Sequence, residues 1–340
     1  MKAKFTLSKS KILEQYNKVK EFADIISYSS KTNPLVTKIL ENNTDSMFSI
    51  HLINELENVQ DKSKVLFLAQ AWNKELITKL YENKVRWFAV DNESDLNIIE
   101  EWLTQNEVKI NLLLRLKLRE NTLRTEKFFV FGMNSKIINE RIQKINKEKI
   151  INLGVHFHRK TQNMSEWNYT YEMQQILEPE TLQSISIINM GGGLPSEYAN
   201  TNINVLQSIF KKITEFRNWL ETKNIKLVIE PGRFIAAPAG KLHTTITAIY
   251  DNNIIVNASV YNSDMDALIV PVKLLIESEL KKGIPYVIKG ITPCSLDLFR
   301  YRVYLDNPQV NQQLTFLNAG AYNFTTDFCN LDTIETEVIE

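Results

Sequence analysis

The sequence predicts a (β/α)8 barrel followed by a smaller β domain, and three observations carry that expectation. Eight short apolar runs recur between residues 25 and 230. Amphipathic stretches with apolar residues three and four apart separate them. After Arg233 the texture turns β-rich, with little helical period. Strands separated by helices pair in parallel, and eight such units close into a barrel. The expected boundaries are 9–235 for the barrel and 236–340 for the β domain, to which residues 1–8 could add a strand.

The first run, IISYSS, ends on Lys31 and a turn at Asn33-Pro34. MFSIH, KVLFLAQ and RWFAV follow, with NKELITKLYENK and ESDLNIIEEWLT as helices behind the last two. INLLLRLKL is the fifth strand and SKIINERIQKINKE the helix after it; INLGVHFH, SISIINM and KLVIE complete the eight. KLHTTITAIY, NIIVNASVY, ALIVPVKLLI and YVIKG read as strands of the second domain.

Composition narrows the class of partner. Of 340 residues, 44% are apolar, and 40 Lys+Arg balance 40 Asp+Glu, so no overall field draws nucleic acid or an anionic membrane. A small neutral or zwitterionic molecule suits this chain better. The start, MKAKFTLSKSK, lacks the apolar core of a signal peptide, and no run approaches the ~20 apolar residues of a membrane span, so a cytoplasmic protein is expected. Cys294 and Cys329 stand far apart without CxxC spacing, which indicates neither a disulfide framework nor a cysteine zinc site. His156 and His158 fall two apart, where a pair of zinc ligands is conceivable, but no third ligand is evident and no metal is expected. His51 and His243 read as isolated structural or solvated histidines, and Glu55 in LINELENV as a solvated helix residue.

In such a barrel the chemistry sits at the carboxyl ends of the strands. Lys31 follows the first strand, Arg115 lies in the fifth, His158 ends the sixth, Gly191-Gly192-Gly193 follow the seventh, and Glu230 with Arg233 close the eighth as EPGR. A triple glycine can be a tight turn or a bare-backbone cradle for phosphate. A phosphate cradle, a lysine and a buried carboxylate together suit pyridoxal phosphate, because the lysine can form a Schiff base and the carboxylate can pair with the ring nitrogen.

Five motifs make the match specific. SYSSKTNP resembles the YAVKANP of the alanine-racemase-like, fold type III decarboxylases of ornithine, arginine, lysine and diaminopimelate. VHFHRKTQ resembles their HFHVGSQ, MGGGLP their GGGFP, IEPGRF their EPGR, and NAGAYNF their GAY segment, all in the family's order from Tyr28 to Phe324. The resemblance implies that Lys31 holds the cofactor aldehyde until the substrate amine displaces it, and that Glu230 keeps the ring nitrogen protonated. By the same resemblance His158 stacks on the ring and Arg115 approaches the ring oxygen. Gly191, Gly192, Gly193, Arg233 and Tyr322 would bind the phosphate, with Thr161 in place of a serine hydroxyl.

The chain also departs from the pattern. Ser49 replaces the acid of FDVAS, and Lys160 the glycine of HFHVGS. GITPCSLD resembles GPTCDGLD, whose cysteine protonates the product across a dimer interface; with the Leu-Asp ends aligned, Pro293 takes the cysteine position and Cys294 the acid position, while a one-residue shift lets Cys294 serve. ALIVPV resembles the DLIRP of diaminopimelate enzymes, with Val270 in place of the arginine that binds a second carboxylate. Asp264, Asp266 and Asp297 fall in segments that border the substrate tail in this family. The expectation is therefore a homodimeric pyridoxal-phosphate decarboxylase with shared active sites, acting on ornithine, lysine or arginine and feeding polyamine synthesis. Diaminopimelate decarboxylation is the alternative activity, and a catalytically inactive regulatory homologue the alternative class.

Overall fold

The computed structural model describes residues 2–118 and 130–340. It resolves into two compact units, one of Asn17–Leu194 with Val205–Gly232, the other of Met1–Tyr16, Pro195–Asn204 and Arg233–Glu340.

The strand β1 (Lys4–Ser8) belongs to the second unit, and the barrel of the first is built from β2 (Ile25–Ser29), β3 (Met47–Ile50), β4 (Val65–Ala69), β5 (Trp87–Val90), β6 (Ile110–Arg115), β7 (Ile150–His156), β8 (Ile187–Asn189) and β9 (Lys226–Ile229). These eight close in sequence order, with β9 pairing back to β2 in parallel. Helices α1 (Lys9–Lys20), α2 (Pro34–Asn43), α3 (Lys74–Glu82), α4 (Glu93–Gln105), α5 (Ser135–Lys144), α6 (Tyr169–Ile176), α7 (Pro179–Ser184) and α8 (Leu206–Glu221) accompany them. Leu66, Leu68, Ala89, Leu113, Ile187 and Val228 form one buried cluster contributed by five strands, the packed interior that such a barrel requires.

A recurring device starts the helices. Asn33, Asn73, Asn92 and Asn134 each cap the following helix, their side-chain oxygens accepting from Leu35, Leu76, Asp95 and Ile137 backbone N–H groups. An asparagine cap satisfies donors that the first helical turn leaves unpaired. The caps after β2, β4 and β5 thus give those strand ends turns of fixed geometry. The unit between β3 and β4 differs, because short 3-10 segments at Ile53–Asn58 and Lys62–Lys64 replace an α-helix there. Glu55, expected on an α-helix, stands in the first of these.

In the second unit the sheet order is β12 (Leu275–Ile276), β15 (Gln313–Leu317), β10 (Gly240–Tyr250), β11 (Asn253–Val256), β13 (Pro285–Lys289) and β14 (Leu298–Tyr304). β1 pairs antiparallel with β10 and parallel with β16 (Thr336–Ile339). Phe299 and Phe316 stack at its centre with ring centroids 4.7 Å apart. Alongside α9 (Arg233–Ala236), two short helices overlap the ends of what read as strands: α10 (Val260–Ser263) the end of NIIVNASVY and α11 (Asp266–Ile269) the start of ALIVPVKLLI. Ser259 causes the first. Its side chain accepts from Tyr261 N–H while its own N–H donates to Asn262 Oδ1, a reciprocal cap that starts a helical turn. Among the described residues no helix is long and apolar enough to cross a membrane.

Candidate active site

Lys31 lies where the sequence places it, exposed on a 3-10 turn (Ser30–Thr32) between β2 and the Asn33 cap of α2. That turn rests on the segment after β9: Ser29 N–H donates to Pro231 O at 3.3 Å, and any side chain at Gly232 would collide with Thr32 and Ser29. The strand-end amine and the EPGR segment are therefore held together by backbone. Residue 232 must be glycine for the two to meet.

Glu230 is buried and has three donors. Ser49 Oγ donates to its Oε1 at 2.6 Å, Asn189 Nδ2 to the same oxygen at 3.1 Å, and His156 Nε2 lies 3.2 Å from Oε2. The set is itself anchored, since Ser27 Oγ lies 2.7 Å from Ser49 Oγ and Asn189 Oδ1 accepts from Gly191 N–H at 2.9 Å. Burial alone would push the Glu230 carboxyl up. The His156 ring beside it, with the hydrogen bonds from His156 and Ser49, holds it instead at about 2. The donors thus favour the ionised form of this buried carboxyl.

His158 stands two residues past the end of β7, not at its last position, and burial together with the nearby Arg115 lowers its pKa to about 4. His156, the true strand end, is committed to Glu230. The conceivable zinc pair is thus split, and no group of three or more candidate metal ligands occurs among the described residues. Arg115 ends β6 in register with His156, and its guanidinium donates to Asp91 Oδ1 at 3.3 Å. Asp91 also receives Gly132 N–H and Gln70 Nε2, which fixes the arginine's direction.

The glycine loop is wedged against backbone. A Cβ on Gly191, at φ +67°, would stand 2.5 Å from Phe157 O, and one on Gly192 2.7 Å from Glu230 O; one on Gly193 would strike Lys160 O. Asn163 N–H donates to Gly193 O at 2.8 Å, so the 157–163 and 191–193 segments lie against each other. Close approach thus requires these glycines whether or not an anion binds. Lys160, in place of a glycine, turns its amine to Glu166 Oε1 at 2.6 Å. Thr161 is exposed on the adjoining turn.

The other candidates lie in the second unit. Arg233 forms a bidentate pair with Asp266 and donates to Tyr198 OH at 2.9 Å, while the Tyr322 ring lies 5.1 Å from its guanidinium carbon. Its Nε is buried without a partner. Cys294 Sγ lies 3.2 Å from Tyr261 OH, a contact that draws the thiol below its usual range.

Two of the three aspartates that border the expected substrate tail are engaged within the chain. Asp266 is spent on Arg233. Asp297 accepts from Val260 N–H at 2.9 Å, Thr292 N–H at 3.0 Å and Thr292 Oγ1 at 2.7 Å, and so ties the 290–297 loop to the start of α10. Burial and the neighbouring Asp266 raise the Asp264 carboxyl well above its ordinary value. Asp266→Asn is expected to lower stability in urea unfolding by roughly 1–3 kcal/mol, because a buried guanidinium then faces a neutral partner. An unchanged midpoint and slope would show that the pair contributes nothing.

Ser49, Asn189 and His156 all hold Glu230, whereas the sequence marks Ser49 only as a departure from the family pattern, His156 only as half of a conceivable zinc pair, and Asn189 not at all. Ser49 carried a signal, since it stands where the family pattern has an acid.

The barrel mouth fits a pyridoxal ring. It presents an exposed amine, an ionised buried carboxylate, and buried polar atoms without partners at Thr32 Oγ1 and His51 Nδ1. Comparison with known proteins agrees. A family model described as pyridoxal-dependent decarboxylase, pyridoxal binding domain, matches residues 9–237. A diaminopimelate decarboxylase of Methanocaldococcus jannaschii is 24% identical over 90% of this chain and 76% of its own length. One from Aquifex aeolicus is 23% identical over 73% of this chain and 63% of its own. Among solved structures, a lysine/ornithine decarboxylase from Vibrio vulnificus complexed with cadaverine superposes with a TM-score of 0.80 at 20% identity, covering 99% of this chain and 94% of that one. A diaminopimelate decarboxylase from Helicobacter pylori complexed with L-lysine gives 0.82 at 18%, covering 100% and 92%. With the family's model matching residues 9–237, the chain belongs to the pyridoxal-dependent decarboxylases.

Proposed function

We propose that this chain decarboxylates an L-amino acid with a basic side chain, ornithine, lysine or arginine, to a product that feeds polyamine synthesis. One observation carries the reading: the buried Glu230 carboxylate, kept ionised by three donors, at the same strand ends as the exposed Lys31 amine. Bound pyridoxal phosphate supplies the electron sink for the pair left behind by carbon dioxide. Lys31 Nζ would provide the covalent attachment and the amine that the substrate displaces. Glu230 would hold a proton on the ring nitrogen, His158 would face the ring, and Arg115, aimed by Asp91, would serve the ring oxygen. Gly191–Gly193 and Thr161 would take the phosphate. On the same reading the enzyme works as a homodimer, the Cys294 loop of each copy serving the barrel mouth of the other.

The basic side chain is favoured over diaminopimelate because Val270 offers no charge to a second carboxylate, and an unpaired charge in a desolvated site is costly. The diaminopimelate reading has its own support in the names of the two sequence relatives. Carbon dioxide release from ornithine, lysine, arginine and diaminopimelate by the purified protein with added pyridoxal phosphate decides between them. Release from one of the first three, above that from diaminopimelate, is expected. Release from diaminopimelate alone would reverse the assignment, and none from any of the four would favour the regulatory homologue.

A further inference from the structure

The sulfur of Cys294 is met by three donors. Tyr261 OH lies 3.2 Å from Sγ, and the backbone N–H groups of Leu296 and Asp297 hydrogen-bond to the same residue's thiol. The tyrosine is held at both ring and backbone. Its ring stacks on Phe328 with centroids 3.9 Å apart, its carbonyl oxygen accepts from Thr326 N–H at 2.9 Å and Thr326 Oγ1 at 3.0 Å, and its N–H donates to the Ser259 cap. Asp297 joins this helix to the cysteine loop: one carboxylate oxygen accepts from Val260 N–H, just before Tyr261, and the other from Thr292, two residues before Cys294. A side chain at Gly290 would collide with that carboxylate.

Two further titratable groups face the pair: Asp297 on the cysteine's own loop, whose charge opposes a thiolate, and Cys329 on the 3-10 segment Phe328–Asn330. The donors prevail. The hydrogen bond from Tyr261 first, and that from Leu296 N–H next, draw the Cys294 thiol below its usual range. The hydroxyl moves the other way: its contact with Cys294 first, and burial next, push Tyr261 up to about 12, so at neutral pH it keeps the proton it donates. A tyrosine kept only for its stacked ring would lose nothing as phenylalanine. This one has its oxygen aimed at a sulfur.

We propose that Tyr261 is a positioning residue that prepares Cys294 to act as the acid of the decarboxylation. In that step the Sγ–H bond breaks with its electron pair left on sulfur, and the proton forms a C–H bond at the carbon that lost carbon dioxide, using the pair left there. The sulfur becomes an anion as it gives up the proton. Tyr261 O–H and the two backbone N–H groups already point at that charge, so nothing has to rearrange when it forms. A proton from solvent restores the thiol, and atoms and charge balance.

This inference rests on the reading of Cys294 as that acid, so the test reads the thiol itself before it reads turnover. The chain has two cysteines, and Cys329→Ser leaves Cys294 as its sole thiol. In that background the full-length protein loaded with pyridoxal phosphate is alkylated with iodoacetamide from pH 5.5 to 9.5 and followed by peptide mass. Tyr261→Phe keeps the ring on Phe328 and removes only the hydroxyl. Its alkylation midpoint is expected at higher pH, with the same plateau, and its rate at pH 7 roughly tenfold lower, the scale of one hydrogen bond to a charged group. In carbon dioxide release Tyr261→Phe should lower kcat more than it raises KM, since the hydroxyl acts on charge that appears only in the transition state. Coincident alkylation midpoints would overturn the inference, as would a rate lowered alike at every pH, which would mean that the hydroxyl governs only access. Turnover unchanged in Tyr261→Phe but lost in Cys294→Ala would overturn it too. Wild-type turnover in Cys294→Ala would instead remove the reading of Cys294 as the acid, and the inference with it.

Discussion

Lys31→Ala is expected to yield a folded protein that forms no borohydride-reducible link to pyridoxal phosphate at the barrel mouth. Turnover should fall by at least the roughly 10²–10⁴-fold that a lost proton-transfer group costs, because the same change removes covalent attachment as well. The fold should survive, since Lys31 is exposed and its turn is held by other groups: the Asn33 cap, the hydrogen bond of Thr37 Oγ1 to Ser30 Oγ at 3.0 Å, and the contact of Ser29 with Pro231. Substitution of an exposed side chain away from such features changes stability by only about 0.5 kcal/mol. Thermal unfolding of the apoprotein checks the first half and mass mapping the second. A reducible adduct persisting on another lysine, with turnover retained, would move the attachment site elsewhere.

The barrel was legible because strands buried on both faces read as short apolar runs, and the spacing between runs left room for helices. The same apolar signal misled in the second unit. Val260–Ser263 and Asp266–Ile269 have strand-like composition, yet Ser259 and Asn262 cap the first as a helical turn, and a four-residue helix leaves no period to detect. Lys31 and Glu230 were visible as chemically distinctive residues at strand ends. What holds Glu230 was not, because Ser49, His156 and Asn189 lie 181, 74 and 41 residues from it in the chain and matter only through that shared partner. The aspartates illustrate the converse. Their charge suggested substrate, but only coordinates show that Asp297 is engaged by Val260 and Thr292, and Asp266 by Arg233.

Glu230→Gln tests the electrostatic core of the site, and kcat is expected to fall on the order of 10²–10³-fold, as when one preorganised charge-stabilising group is removed. KM should change little if the carboxylate acts chiefly in the transition state. The amide keeps the volume of the side chain but has no charge with which to hold a proton on a ring nitrogen. It also sets an NH2 group among donors, since Ser49 and Asn189 both point N–H or O–H at this position. Apoprotein stability gives a readout free of cofactor. In the fold the Glu230 carboxyl sits at about 2 against an ordinary 4.5, so its charge contributes stability that is fully present above about pH 4.5 and is lost as pH falls toward 2. Urea unfolding across that window should therefore show a wild-type acid limb steeper than that of Glu230→Gln, with Ser49→Ala between them because it removes one donor and leaves two. Parallel acid limbs in all three proteins would mean that Glu230 is not held ionised by this network, and the reading built on its charge would fail with it.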